Sequence, residues 1–190
     1  MSEAKVLKAE IKDWLFLSGK ISEELRGHSK KDSSFNCTVP VHDDLKTAFG
    51  KLNIHLALLC DQLAMPTKKA FAKLQVLMSE AKIVEGEGKN SDREDPFFHV
   101  YSFSISGNEE NEAIVISGYM EGTYGEVDLS NPPIKWDNTD YPFSDQLSED
   151  AQACIYEVKE YLFNEKRAPE KQLEMEFAEG EGDEEGATEE

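Results

Sequence analysis

Apolar residues recur at every second position in three separate stretches of this chain, and that period limits what it can fold into. Side chains alternate between the two faces of a β-strand, so a period of two predicts strands with one buried face. The pattern appears in residues 11–21, in 35–41, and again from 97 to 129. It predicts an N-terminal group of strands and a later antiparallel meander of three strands.

Within these stretches the alternation assigns side chains to opposite faces. In the first stretch, one parity is apolar: Ile11, Leu15, Leu17 and Ile21. The other parity holds Lys12, Trp14 and Phe16. Ser18-Gly19 predicts the break or bulge between two strands. In the later stretch, the predicted shared face consists of His99, Tyr101, Phe103 and Ile105, opposite Val100, Ser102 and Ser104.

Between the two groups of strands the period changes to that of a helix. Apolar residues step by four and three through five turns: Leu45, Phe49, Leu52, Leu56, Leu59 and Leu63. Asp43 is the predicted N-cap of this helix, and Ser148 is the predicted cap of a last helix that ends near Lys166. The predicted fold class is α+β, an antiparallel sheet packed against a long central helix and a C-terminal helix.

The negative charge is confined to the second half of the chain. Of a net charge of −19, residues 1–100 contribute none, with 15 acids and 15 bases, while residues 101–190 carry 24 acids and 5 bases. Beyond Pro169 the periodicity stops and a run of Glu and Gly begins, a composition typical of disorder. Residues 1–167 are therefore predicted to form a single domain, and residues 168–190 a disordered acidic tail.

The cysteines and the N-terminus indicate a cytoplasmic protein. Cys37, Cys60 and Cys154 are scattered among apolar residues, which favours reduced, buried thiols over a disulfide framework. The N-terminus lacks the pattern of a signal peptide, and the longest apolar stretches are too short to cross a bilayer. We expect a protein that is neither secreted nor embedded in a membrane.

No residue pattern indicates catalysis, a metal or a cofactor. The four histidines have no second ligand at a spacing typical of zinc sites, and His42-Asp43-Asp44 is better explained as a helix cap than as a cation site. Phosphate-loop, dinucleotide and serine-nucleophile signatures do not occur. The sequence predicts a protein that is not an enzyme, with no metal ligands and no cofactor.

One candidate binding site combines aromatic and basic residues. Lys12, Trp14 and Phe16 share a parity, with Lys8 and Lys20 nearby. Aromatic side chains interleaved with bases hold single-stranded nucleic acid by stacking and by contacts to phosphate. This predicts a site for single-stranded DNA. The alternative is a central strand with two buried faces, which would place Trp14 and Phe16 in the core.

A second candidate lies in the tail at residues 172–177. Gln172 precedes apolar residues that alternate with acids: Leu173, Met175 and Phe177. An extended peptide of this kind can place alternate side chains in the pockets of a receptor. The hexapeptide resembles the bacterial sliding-clamp binding motif, which implies that these four residues anchor a protein partner. The alternative is that the segment folds back on its own domain.

Over its whole length the chain resembles a group of small acidic proteins of bacteriophages and prophages. The residues that carry this resemblance are 44–49, 105–107, 116–118 and 157–163. The resemblance implies a role in phage DNA replication, recombination or evasion of host defence, in the host cytoplasm. The sequence thus leads to an accessory protein that docks a replication or repair partner through its tail. It leaves open a single-stranded DNA-binding protein, or an inhibitor of a host defence protein that mimics nucleic acid or sequesters a ligand.

Overall fold

A computed structural model describes residues 4–24, 30–80, 97–107, 111–122, 125–136 and 138–168. The strands in these residues are β1 (Ala4–Lys12), β2 (Phe16–Glu24), β3 (Lys30–Pro40), β4 (Phe97–Ser106), β5 (Ala113–Gly122), β6 (Gly125–Ser130) and β7 (Ile134–Lys135). The helices are α1 (Asp43–Lys51), α2 (Asn53–Leu59), α3 (Lys68–Glu80) and α4 (Ser144–Phe163). The fold is α+β, as the sequence predicts.

The strands form one antiparallel sheet in the order β3-β2-β1-β4-β5-β6, with the short β7 also paired to β5. The three N-terminal strands make one meander, and β4, β5 and β6 make the predicted second one. Pairing of β1 with β4, in which Ala9 lies opposite Phe103, joins the two meanders. The strands at the centre of the sheet therefore come from distant parts of the sequence.

One face of the sheet, the covered face, packs against the helices. Its buried strand residues are Val6, Ala9, Ile11, Leu17, Val100, Phe103, Ile105, Ile114 and Ile116. The predicted helical stripe meets them, since Leu45, Phe49, Leu52 and Leu56 have no exposed surface. The rings of Phe49 and Phe103 have centroids 5.5 Å apart. The apolar strand residues and the apolar helix residues that the sequence pattern predicts thus pack against each other in one core.

Gly118 allows α2 to lie directly against β5. A Cβ atom at this position would come 2.1 Å from the carbonyl oxygen of His99 and 2.6 Å from Cδ2 of Leu56. Any larger residue would push the helix or the neighbouring strand away. The glycine is required by this close approach.

The helix boundaries differ from the predicted ones. The long central helix is divided at Leu52, whose N–H bonds to the carbonyl of Phe49 three residues back, a tighter turn than an α-helix makes. The N-cap of α1 is His42, whose Nδ1 accepts from the N–H of Leu45 at 3.2 Å, so the prediction of Asp43 is wrong. The last helix begins at Ser144, one turn before the predicted cap at Ser148.

Two strand assignments also need correction. The chain reverses at residues 13–15, and Ser18-Gly19 lies inside β2 instead of ending a strand. In β4 a bulge at Tyr101 shifts the register between Val100 and Ser102. The extra residue moves Phe103 to the face of Val100, so the predicted shared face of His99 with Phe103 is wrong.

The opposite side of the sheet is the open face, on which no helix packs within the described residues. Its residues alternate with those of the covered face: Lys8, Glu10 and Lys12 on β1; Phe16, Ser18 and Lys20 on β2; His99, Ser102 and Ser104 on β4; Val115, Ser117 and Tyr119 on β5; Asp128 and Ser130 on β6. In the described part of the chain no helix is both long and apolar enough to cross a membrane.

Candidate functional site

The turn between β1 and β2 holds a tryptophan in an unusual backbone conformation. Asp13 and Trp14 have φ values of 51° and 54°, and the N–H of Leu15 bonds to the carbonyl of Lys12 at 2.9 Å. Positive φ at both central residues is the geometry of a type I′ hairpin turn, which usually takes Asn, Asp or Gly. A bulky residue there is strained, and such strain is often found at functional sites.

The end of β3 fixes this turn in place. The N–H of Val41 donates to the carbonyl of Leu15 at 2.9 Å. The other end of the turn is held by the pairing of Lys12 with Phe16, directly opposite each other in the hairpin. Trp14 therefore lies in a turn that is held at both ends.

Trp14 belongs to a group of rings at the end of the open face, which we call the aromatic patch. Its members are Trp14, Phe97, His99, Tyr101 and Tyr119. His99 is the centre of the group and is only 3% exposed. Its ring stacks on Tyr119 with centroids 4.7 Å apart, meets the edge of Phe97 at 4.1 Å, and lies 6.2 Å from Trp14. The remaining rings are half-buried and reach solvent around it.

A shallow cavity of about 390 Å³ opens between three of these rings. Its aromatic walls are Trp14, Tyr101 and Tyr119, and its polar rim consists of Glu10, Lys12 and Asp13. Flat rings around an open cavity form a surface on which a planar or cationic group can lie.

Charge is divided across the open face. Lys8, Lys12 and Lys20 lie on β1 and β2, while the acids Glu121 and Asp128 lie on β5 and β6. Burial, reinforced by the charges of Asp128 and Glu10, raises the pKa of the Tyr101 hydroxyl, so Tyr101 stays neutral. Lys8 bonds to Glu10 at 2.9 Å and is partly neutralised. The basic side of the patch is thus the β1–β2 hairpin.

The structure brings two of the predicted nucleic-acid residues to the cavity, Lys12 and Trp14, whereas Phe16 is not among the residues that line it. Lys12 ends β1, Phe16 begins β2, and Trp14 lies in the turn between them. The prediction of one continuous strand face is wrong because the chain reverses at Asp13-Trp14, where Trp14 takes the second position that glycine usually occupies in such a turn. The predicted tail residues Gln172, Leu173, Met175 and Phe177 lie outside the described residues.

A second polar group, buried under the helices, was missed by the sequence reasoning. His55 on α2 has no exposed surface. Its Nδ1 lies 2.7 Å from the hydroxyl of Tyr141 and its Nε2 lies 3.1 Å from Oδ2 of Asp150. Gln75 of α3 donates to the same carboxylate. The group joins α2, α3 and α4, and each polar atom of the imidazole has a partner.

The electrostatics of this buried group favour a neutral imidazole. Burial lowers the pKa of His55, although the bond to Asp150 acts in the opposite direction. Burial also raises the pKa of Tyr141, and the charge of Asp150 adds to that shift. The arrangement resembles a proton relay, but His55 has no contact with solvent. The group therefore serves to hydrogen-bond the helices to one another.

A third group surrounds the N-terminus of α1. His42, Asp44 and Glu157 place one potential ligand atom each within 4.8 Å of one another. Lys166 already occupies the space between the carboxylates, with Nζ at 2.8 Å from Asp44 and 2.7 Å from Glu157. His42 Nδ1 accepts from the backbone, so the neutral ring carries its proton on Nε2 and has no lone pair to offer a metal.

The aromatic patch is hard to find from sequence because its members are scattered over residues 14–119. The chain matches no protein-family model, no curated protein and no solved structure. A candidate function therefore has to come from the geometry of the patch.

Proposed function

We propose that this protein is a non-enzymatic accessory protein of phage-type DNA metabolism that binds single-stranded nucleic acid on the aromatic patch. One observation carries the proposal. Trp14 is held at a positive φ in the hairpin turn, where its ring lines the same open cavity as Tyr101 and Tyr119. Three rings on a surface free of helices, within the described residues, provide a platform for unpaired bases.

The balance of forces in this proposal favours stacking over charge. Each stacked base contributes about 1–3 kcal/mol, so two or three bases supply about 2–9 kcal/mol, against the roughly 8 kcal/mol of a micromolar affinity. Three lysines lie on the same face, but Lys8 is bonded to Glu10 and the acids of β5 and β6 repel phosphate. We expect the nucleic-acid strand to lie along the β1–β2 hairpin. A plot of the logarithm of the affinity against the logarithm of the salt concentration should then have a slope no steeper than about −0.7 for each of three phosphates.

A second function, docking of a protein partner through the tail, rests on the sequence of residues 172–177. Their likeness to the sliding-clamp binding motif supports a partner of DNA replication or repair. Nucleic acid on the domain and a protein on the tail are compatible, because the two sites use separate parts of the chain. In this proposal the protein works in the cytoplasm of the host cell.

Fluorescence anisotropy of a labelled oligothymidylate tests the nucleic-acid proposal. Trp14→Gly removes one of the three rings that line the cavity and inserts a residue that suits the positive φ of the turn. We expect at least a tenfold loss of affinity. The matched control is Tyr156→Ala, which removes an aromatic side chain that is 58% exposed on α4, away from the sheet. It should leave the affinity unchanged.

Two results would contradict the proposal. Equal losses in the two variants would mean that the patch is not the binding surface. A cavity that binds tetramethylammonium but no oligothymidylate would assign the rings to a cationic ligand, which Glu10 and Asp13 on the rim would suit.

A further inference from the structure

β3 is a long edge strand whose outer side has no partner strand in the described part of the chain. It has 11 residues, of which residues 30–36 and Pro40 pair with β2, and the register shifts by two residues between Asn36 and Pro40. Phe35 and Cys37 pack partly against the core, and Val39 remains 39% exposed. An edge of this length with apolar side chains is a template on which another strand can add.

The chain that leaves α4 is tied to the end of this same strand. The backbone N–H of Ala168 donates to the carbonyl of Pro40 at 3.4 Å, and the hydroxyl of Tyr161 donates to the carbonyl of Val39. The guanidinium of Arg167 lies 4.0 Å from the centre of the Tyr161 ring. The residues that follow Ala168 therefore start beside the open edge of β3.

We infer that residues 171–178 add to the outer side of β3 as an antiparallel strand. We start from the hydrogen bond of Ala168 to Pro40 and let the added strand follow β3 residue for residue through its irregularity at 37–39. Leu173 then lies opposite Phe35, and Met175 lies opposite Ser33. The alternating apolar residues of the tail then share the face of Phe35, and their acidic neighbours lie on the other face.

Two further features agree with this register. Pro169 falls at an alternate position, where the N–H that proline lacks would point away from β3. Eight residues of extended chain span about 27 Å, enough to cover most of the exposed edge. The inference is independent of the nucleic-acid proposal. In this arrangement the tail is bound to its own domain, and a protein partner would have to displace the tail from β3.

A cysteine pair tests the register in the full chain. With the three native cysteines replaced by alanine, Ser33→Cys and Met175→Cys should form an intramolecular disulfide under mild oxidation. The matched control pairs Ser33→Cys with Glu174→Cys, because residue 174 would face the other side of the added strand. We expect at least a fivefold higher yield from the first pair. Equal yields, or a disulfide between two molecules, would overturn the inference, the latter in favour of a second copy on the edge.

Amide hydrogen exchange gives a second test that requires no cysteine. In the full chain, alternate amides of β3 should exchange at least tenfold more slowly than in a chain that ends at Ala168, whereas β6 at the other edge should not change. Equal exchange of β3 in the two chains would show that the tail does not cover this edge.

Discussion

The two faces of the sheet are built from alternate residues of the same strands, yet they are organised in opposite ways. On the covered face, apolar residues such as Phe103 and Ile116 are fully buried against the helices. On the open face, the neighbouring Ser104 and Ser117 are only half-buried, and the aromatic residues gather at one end. The covered face forms the core, and the open face presents half-buried aromatic rings at one end, where Trp14 also packs against the edge of the core.

Because the two faces differ in burial, effects on stability and on binding can be separated within one strand. A covered-face residue is surrounded by the core, so its removal leaves a cavity. Trp14, Tyr101 and Tyr119 border solvent, so removal of one of these rings takes away contact area for a ligand. Changes at neighbouring positions should therefore affect different measurements.

The largest expected effect comes from Phe103→Ala on the covered face. Its ring is completely buried and contacts Phe49, so truncation should lower the free energy of unfolding by about 3–5 kcal/mol. Ser104→Ala, the next residue on the open face, should change it by less than about 0.5 kcal/mol. Urea unfolding followed by circular dichroism measures both. Similar losses would mean that the two faces are not distinct.

The buried histidine predicts an intermediate, pH-dependent effect. Since burial lowers the pKa of His55 below its ordinary 6.5, the unfolded chain binds a proton at higher pH than the folded one. Stability should fall as the pH drops below 6.5, by up to about 1.4 kcal/mol per pH unit for this group until its folded pKa is reached. The measurement is urea unfolding at a series of pH values.

Matched variants test whether the pH dependence of stability comes from His55. His55→Gln should be less stable at neutral pH and should show a weaker pH dependence. His42, whose pKa burial also lowers, contributes in the same direction, and His42→Asn removes that contribution while keeping a side chain that can cap α1. An unchanged slope in His55→Gln would contradict the assignment.

The smallest expected effect on stability is that of Trp14→Gly on the open face. Glycine relieves a strained positive φ worth about 1–2 kcal/mol, which offsets the packing lost with the half-buried indole. We expect the free energy of unfolding to stay within about 1 kcal/mol of the wild-type value by urea unfolding. A loss as large as that of Phe103→Ala would place Trp14 in the core, the alternative that its sequence position left open.

Periodicity predicted the covered face well because a buried face requires an apolar residue at every turn of a helix and at every second residue of a strand. The stripe of Leu45, Phe49, Leu52 and Leu56 is buried as expected. What the pattern could not show were single-residue events. The bulge at Tyr101 changes the face of the residues that follow it, and the turn at Asp13-Trp14 has no glycine to mark it.

The candidate sites were less predictable for a related reason. Lys12, Trp14 and Phe16 are near one another in sequence and could be grouped from it. His99 and Tyr119 join Trp14 only because β1 pairs with β4, a long-range contact that no local pattern encodes. The buried group of His55, Tyr141 and Asp150 likewise joins residues nearly 100 positions apart.

Fluorescence of a chain with a single indole tests most directly whether the open face is a binding surface. Trp136→Phe leaves only Trp14 as a reporter, and Trp14→Phe leaves only Trp136, whose indole N–H bonds to Glu112 at 3.1 Å away from the patch. Titration with oligothymidylate should quench the Trp14 reporter saturably and leave the Trp136 reporter unchanged. No quenching of Trp14, or equal quenching of both reporters, would contradict the account.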